Sequence, residues 1–225
     1  MDRAGVVFDM DGVLVDTYQA HFRSWQQVAA ERELPFSEEA FRKTFGKTSR
    51  EIIAELWGKD RFDDTEIEEM DRRKEAAFRR LIENDFPAMP GVMDLLDDLR
   101  AAGVRLAVGS SGPPDNVDFV VDRLQARGLF DAIVTGKDVR RGKPDPQVFL
   151  MAADRLGIEP SRCVVVEDAP VGIAAARAGG MASIGMVSTG RSREDLQQAD
   201  AIVQSLAEIT PEMVRDLIQR PSHAG

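Results

Sequence analysis

The sequence predicts an α/β fold: a parallel sheet with helices on both faces, interrupted after its first strand by an all-helical insertion. Three observations predict it. Short apolar runs of the kind that strands buried on both faces show alternate with helix-length segments over 87–225. The interval 17–86 has helical spacing and nothing that reads as a strand. Polar and acidic residues follow directly on the apolar runs, where open α/β sheets bind ligands. The expected division is a core formed by 1–16 and 87–225 and a helical cap formed by 17–86.

The elements follow in order. Ala4 to Phe8 is the first strand. In the insertion, Phe22, Trp25, Val28 and Ala29 recur at helical spacing, with Pro35 as the stop. Ser37-Glu38-Glu39 reads as an N-cap with acidic first-turn residues. A helix from about Thr48 carries Ile52, Ile53, Leu56 and Trp57, and a long one opens at Asp64 or Thr65 and runs through Met70, Phe78 and Ile82. Beyond the Pro90-Gly91 break, helices are expected at 92–101, 116–127, 146–156, 170–178 and 211–218. Gly103, Gly128 and Gly157 mark the ends of the first three. Strands are expected at 104–108, 132–134, 162–166, 182–186 and 201–203 between them, a Rossmann-like alternation. Arg220 to Gly225 reads as a loose tail.

Composition narrows the function. The chain has 225 residues, 43% hydrophobic and 30% charged, with a net charge of −10. That charge argues against nucleic-acid or anionic-membrane partners, and any anionic substrate would have to be drawn in by local cations or a metal, not by the overall field. Cys163 is the single cysteine, and within Cys163-Val164-Val165-Val166 it reads as a small buried hydrophobe rather than a nucleophile. No apolar run approaches the ~20 residues of a membrane span, and the first strand begins almost at once, so a cytoplasmic protein is expected, as a monomer.

The first strand stops at Asp9-Met10-Asp11-Gly12. Carboxylates at i and i+2 on extended backbone point the same way. At ~4 Å and an effective dielectric of about 20 their repulsion is on the order of 4 kcal/mol. A cation, a proton or a catalytic role must offset it. Gly12 lets the chain turn sharply. An EF-hand reading fails because that glycine comes too early. The stretch Asp9-Met10-Asp11-Gly12-Val13, with Asp16-Thr17 after it, resembles the first motif of the haloacid-dehalogenase (HAD) superfamily of aspartate-nucleophile phosphotransferases.

Three further pieces resemble that family in the same order. Ser110 ends the second strand in Gly109-Ser110-Ser111-Gly112; Lys143 lies in Gly142-Lys143-Pro144; and Glu167-Asp168 ends the fourth strand. A P-loop reading of Gly136 to Lys143 fails, because the glycine spacing is one residue too long and Pro144 stands where Ser or Thr is required. The resemblance covers residues 4 to about 187 and implies that Asp9, Asp11, Ser110 and Lys143 are catalytic. It also implies a Mg²⁺ site of Asp9, Asp11 (through its backbone carbonyl), Glu167 and Asp168. Asp9 would then be the nucleophile and Asp11 the acid–base.

The insertion resembles that of β-phosphoglucomutase-like phosphatases and mutases. On that resemblance Thr17, His21, Trp25, Arg50 and Lys74, with Ser111 of the core, are expected to bind substrate. The loop Ser111-Gly112-Pro113-Pro114 departs from the mutase pattern, which places a basic and an amide side chain there. A phosphatase of a small phosphorylated metabolite, a sugar phosphate by class, is therefore the leading expectation. A β-phosphoglucomutase interconverting β-glucose 1-phosphate and glucose 6-phosphate is the alternative. A non-catalytic binder and a thiol enzyme using Cys163 are the readings from other classes.

Overall fold

The computed structural model describes residues 3–219; the tail expected over 220–225 lies outside the described residues. The chain divides into two compact units, one formed by the segments up to Asp16 and from Ala88 on, the other by Thr17–Pro87.

In the first unit, strands β1 (Gly5–Phe8), β2 (Arg105–Gly109), β3 (Ala132–Val134), β4 (Cys163–Glu167), β5 (Ala182–Met186) and β6 (Ala201–Val203) form one sheet in the order β3-β2-β1-β4-β5-β6. Every pairing is parallel. β1 lies inside the sheet, and Val6, Val7 and Phe8 are fully buried, as an apolar run without alternation requires. Successive side chains alternate between faces. Val7, Ala107 and Val165 pack with Phe149, Ala153 and Ala175. These come from two of the unit's helices, here numbered with the chain: α7 (Gln147–Leu156) and α8 (Pro170–Ala178). The unit's other helices are α5 (Val92–Ala101), α6 (Pro114–Arg123) and α9 (Pro211–Gln219).

Phe8 lies opposite Val108 on one side and Val166 on the other. Asp9, the residues after Gly109, and Glu167-Asp168 therefore emerge together at the carboxyl end of the sheet. The ladder runs on into them: Asp9 N donates to Val166 O at 2.9 Å, and Ser110 N to Val134 O at 3.0 Å.

The second unit contains α1 (Tyr18–Glu31), α2 (Glu38–Thr44), α3 (Ser49–Trp57) and α4 (Asp64–Asn84), with no strand among its described residues. Its starts are capped. Ser37 Oγ accepts from Ala40 N, and Thr48 with Glu51 and Asp63 with Glu66 form capping boxes. Tyr18, Trp25, Phe41, Ile53, Trp57 and Met70 are among the residues of its apolar core.

Some boundaries move for identifiable reasons. The helix expected over 116–127 begins at Pro114, whose fixed φ suits a first helical turn, and ends at Arg123. Gln125 then takes φ 56°, so Gly128 is not the stop. Likewise α1 ends at Glu31, where Glu33 at φ 52° turns the chain ahead of Pro35. Cys163 is fully buried, and burial pushes its thiol up to about 12, which keeps it protonated near neutrality. Among the described residues no helix is long and apolar enough to cross a membrane.

Candidate active site

The centre of the site is a buried ion pair. Lys143 Nζ lies 2.9 Å from Asp9 Oδ1 and 3.4 Å from both Glu167 carboxylate oxygens. The Asp9 contact is the strong one; the pair to Glu167 is long for a hydrogen bond. Oxygens of Asp9, Glu167 and Asp168 come within 4.8 Å of one another, and all three residues are buried. Asp9 and Glu167 thus share one lysine, and Asp168 lies beside them with Arg191 as the cation acting on it.

Their electrostatics follow. Burial raises the Glu167 pKa well above the ordinary carboxylate value, with the Asp9 charge adding to it and Lys143 opposing. Asp168 is raised to about 7, first by burial and then by Asp9; Arg191 and the Ser188 hydroxyl pull the other way. Burial would lower Lys143, but the charges of Asp9 and Glu167 overcome it and hold the ammonium above its usual range. The excess negative charge sits among hard oxygen donors, the donor set that suits Mg²⁺.

The strand ends and two turns set these positions. Gly12 has φ 74°, and a Cβ there would lie 2.1 Å from Asp168 Oδ2. A Cβ on Gly172, in the first turn of α8, would lie 1.8 Å from Glu167 Oε1. Both acids occupy space that only a glycine leaves open. Gly172→Ala is therefore expected to displace Glu167, whose side chain is 1% exposed and bounded by Lys143. Mg²⁺ titrations of activity should show affinity falling about tenfold or more. Unchanged affinity with a raised melting temperature would mean that Glu167 yields freely to the methyl.

Lys143 is held from below by Phe149, whose ring centroid lies 4.8 Å from Nζ. Gly109 makes room for that ring: a Cβ there would sit 3.0 Å from Phe149 Cδ1. The segment leading to the lysine is tied twice. Asp138 accepts from Thr135 N, Thr135 Oγ1 and Arg155, and the Arg155 hydrogen bond leads in lowering its carboxyl to about 2. Gln147 Oε1 accepts from Arg140 N and Arg141 N at 2.9 and 3.1 Å.

Ser110 is 1% exposed, and its Oγ accepts from Gly112 N at 3.0 Å. Ser111 is exposed. Asp11 stands outside the cluster of three carboxylates; its segment is shaped by Gly12 N donating to Val15 O at 2.8 Å.

Within the helical unit, the expected substrate-binding residues part company. His21 stacks on Phe78, with ring centroids 4.1 Å apart and planes 10° from parallel. Lys74 Nζ lies 5.6 Å from the Phe78 centroid and 5.9 Å from that of Trp25, and pairs with Glu75 Oε1 at 2.7 Å. Trp25 itself is 1% exposed and packs edge-on to Trp57, so its surface is spent on the unit's core. Thr17 is buried at the start of α1. Arg50 stands apart, paired with Asp64 at 2.8 Å on an open cavity of about 870 Å³ that Lys59, Phe62 and Ile67 also line.

Comparison with known proteins decides the family. A model of the haloacid dehalogenase-like hydrolases matches residues 4–180. The chain belongs to this family. It is 32% identical over 206 residues to the validoxylamine A 7′-phosphate phosphatase of Streptomyces hygroscopicus subsp. limoneus, covering 90% of this chain and 94% of that protein. It is 30% identical over 217 residues to the β-phosphoglucomutase of Bacillus subtilis, covering 94% and 93%. The crystal structure of β-phosphoglucomutase from Clostridium difficile superposes with a TM-score of 0.86 at 25% identity, covering 96% and 97%. As a haloacid dehalogenase-like hydrolase the chain is an enzyme, and its relatives' names span both hydrolysis and internal transfer of phosphate.

Proposed function

We propose that this hydrolase is a Mg²⁺-dependent phosphatase that cleaves a small phosphorylated metabolite, a sugar phosphate by class, through an aspartyl phosphate on Asp9. The observation that carries the reading is the buried Asp9–Lys143 pair at 2.9 Å beside Glu167 and Asp168. A carboxylate can attack an anionic phosphoryl group only where cations offset both charges.

Asp9, Glu167, Asp168 and the backbone carbonyl of Asp11 would hold Mg²⁺, which when bound supplies positive charge to the non-bridging phosphoryl oxygens. Asp9 forms the new bond to phosphorus as the bond to the leaving oxygen breaks, and Asp11 gives that oxygen a proton. Lys143 and the Ser110 hydroxyl bind the phosphoryl oxygens. Water, giving a proton to Asp11, then attacks phosphorus and frees Asp9 and inorganic phosphate. Ser111 of the core and Thr17, His21, Arg50 and Lys74 of the helical unit are assigned to selecting the substrate; Trp25 supports them by packing.

Two features support hydrolysis over mutase chemistry. Pro113 and Pro114 open α6 with no N–H to give, and no basic or amide side chain stands between Ser111 and Pro114. The grouping of His21 and Lys74 around Phe78 and the similarity to the Bacillus mutase favour the second reading, β-phosphoglucomutase. An assay with Mg²⁺, β-glucose 1-phosphate and a trace of glucose 1,6-bisphosphate separates them when free phosphate and glucose 6-phosphate are followed together. Phosphate release alone is expected. Glucose 6-phosphate without matching phosphate would overturn the phosphatase reading in favour of the mutase.

A further inference from the structure

The loop after β5, Val187 to Arg191, has no part in the proposed mechanism, yet it commits two hydroxyls to carboxylates, one of them Asp168 of the site. Ser188 Oγ donates to Asp168 Oδ2 at 2.7 Å. Thr189 Oγ1 donates to Asp16 Oδ2 at 2.6 Å. The Ser188 oxygen is also packed against the first turn, since a Cβ on Gly12 would meet it at 3.0 Å. The start of the loop is anchored to β6, Val187 N donating to Val203 O at 2.9 Å, and Arg191 N donates to Ser188 O at 3.0 Å, closing a turn within the loop.

We propose that Ser188 is a positioning residue for the divalent-metal site: its hydroxyl fixes the orientation of the Asp168 carboxylate, and the Thr189–Asp16 hydrogen bond holds the loop that presents it. The inference rests on the metal-dependent reading of Asp9, Glu167 and Asp168. Its physical basis is the rotation left to a carboxylate. A side chain as short as Asp168 still turns about its last bond unless something grips one oxygen, and a metal ligand that turns has to be ordered when the ion arrives. Outer hydrogen bonds remove that cost. Glu167 is handled differently, by Lys143 and by the space Gly172 leaves.

The test uses Mn²⁺ as the probe. Bound and free Mn²⁺ are counted by electron paramagnetic resonance in the full-length native protein and in Ser188→Ala, Ser188→Thr and Thr189→Val, alongside kcat at saturating Mg²⁺. Ser188→Ala is expected to weaken Mn²⁺ binding about tenfold or more. Ser188→Thr, which keeps the hydroxyl, should stay within about threefold of native, and Thr189→Val should fall between them. kcat at saturating metal should change less than metal affinity does. Native-like Mn²⁺ binding in Ser188→Ala overturns the proposal, as does a Ser188→Thr variant as weak as Ser188→Ala. If Ser188→Ala fails to fold, Ser188→Cys takes its place under the same criteria. Native protein that binds no Mn²⁺ would overturn the metal-site reading and this inference with it. Native binding with an unaffected Ser188→Ala would overturn this inference alone.

Discussion

Asp9→Asn abolishes turnover, with kcat falling by a factor on the order of 10⁴ or more, while the circular dichroism spectrum stays native. The size follows from removing a nucleophile that no neighbour can replace. Glu167 and Asp168 are buried at the same point, but Lys143 lies 2.9 Å from Asp9 and 3.4 Å from Glu167, so the cation serves Asp9 first. The change is nearly isosteric and removes one of three crowded negative charges, so the fold has no reason to suffer. A non-catalytic binder that had kept the fold would lose no function on this substitution. Turnover retained within about tenfold would exclude Asp9 as the nucleophile.

Lys143→Met carries the second large effect, on stability as well as rate. The lysine side chain is 7% exposed, and those of Asp9 and Glu167 are 11% and 1% exposed. Without the cation, buried carboxylates face one another uncompensated. Breaking a buried pair on one side costs about 3–5 kcal/mol. For a chain of this length that corresponds to a fall in melting temperature on the order of 10 °C in the metal-free protein. Added Mg²⁺ should recover more stability in the variant than in the native protein, because it then meets a more negative site. Removing a charge that stabilises the transferring phosphoryl group should also lower kcat/KM by about 10²–10³. Thermal melts with and without Mg²⁺ and steady-state rates check all three. A metal-free melting temperature within a degree or so of native would mean that Lys143 is not what balances the acids.

The parts of this account legible in the sequence are those whose chemistry is local. β1, β2 and β4 could be read because strands buried on both faces need unbroken apolar runs. Asp9, Lys143, Glu167 and Asp168 are legible through their joint resemblance, in order and at strand ends or before a helix, to the family's motifs; taken singly, a lysine before a proline reads as a surface residue. Gly109, Gly12 and Gly172 carry meaning only in three dimensions, through Phe149, Asp168 and Glu167 at distances no spacing encodes. Ser188 and Thr189 sit in a Val-Ser-Thr-Gly stretch that any surface turn could contain. Trp25 falls on the same helical period as Val28 and Ala29, which points it to the core although the resemblance assigned it to substrate; the structure buries it against Trp57 and leaves His21 stacked on Phe78. The expected stop at Gly128 failed because a glycine's freedom permits a helix end without compelling one, and Gln125 took the left-handed turn first.

On this mechanism phosphate passes through Asp9. That passage is tested most directly by acid-quenching the protein during turnover of p-nitrophenyl phosphate with Mg²⁺ and mapping the peptides by mass. One phosphoryl group is expected on the peptide carrying Asp9, labile to hydroxylamine and missing from Asp9→Asn. Phosphate on any other residue, or product formation with no modification of that peptide at any quench time, would contradict it.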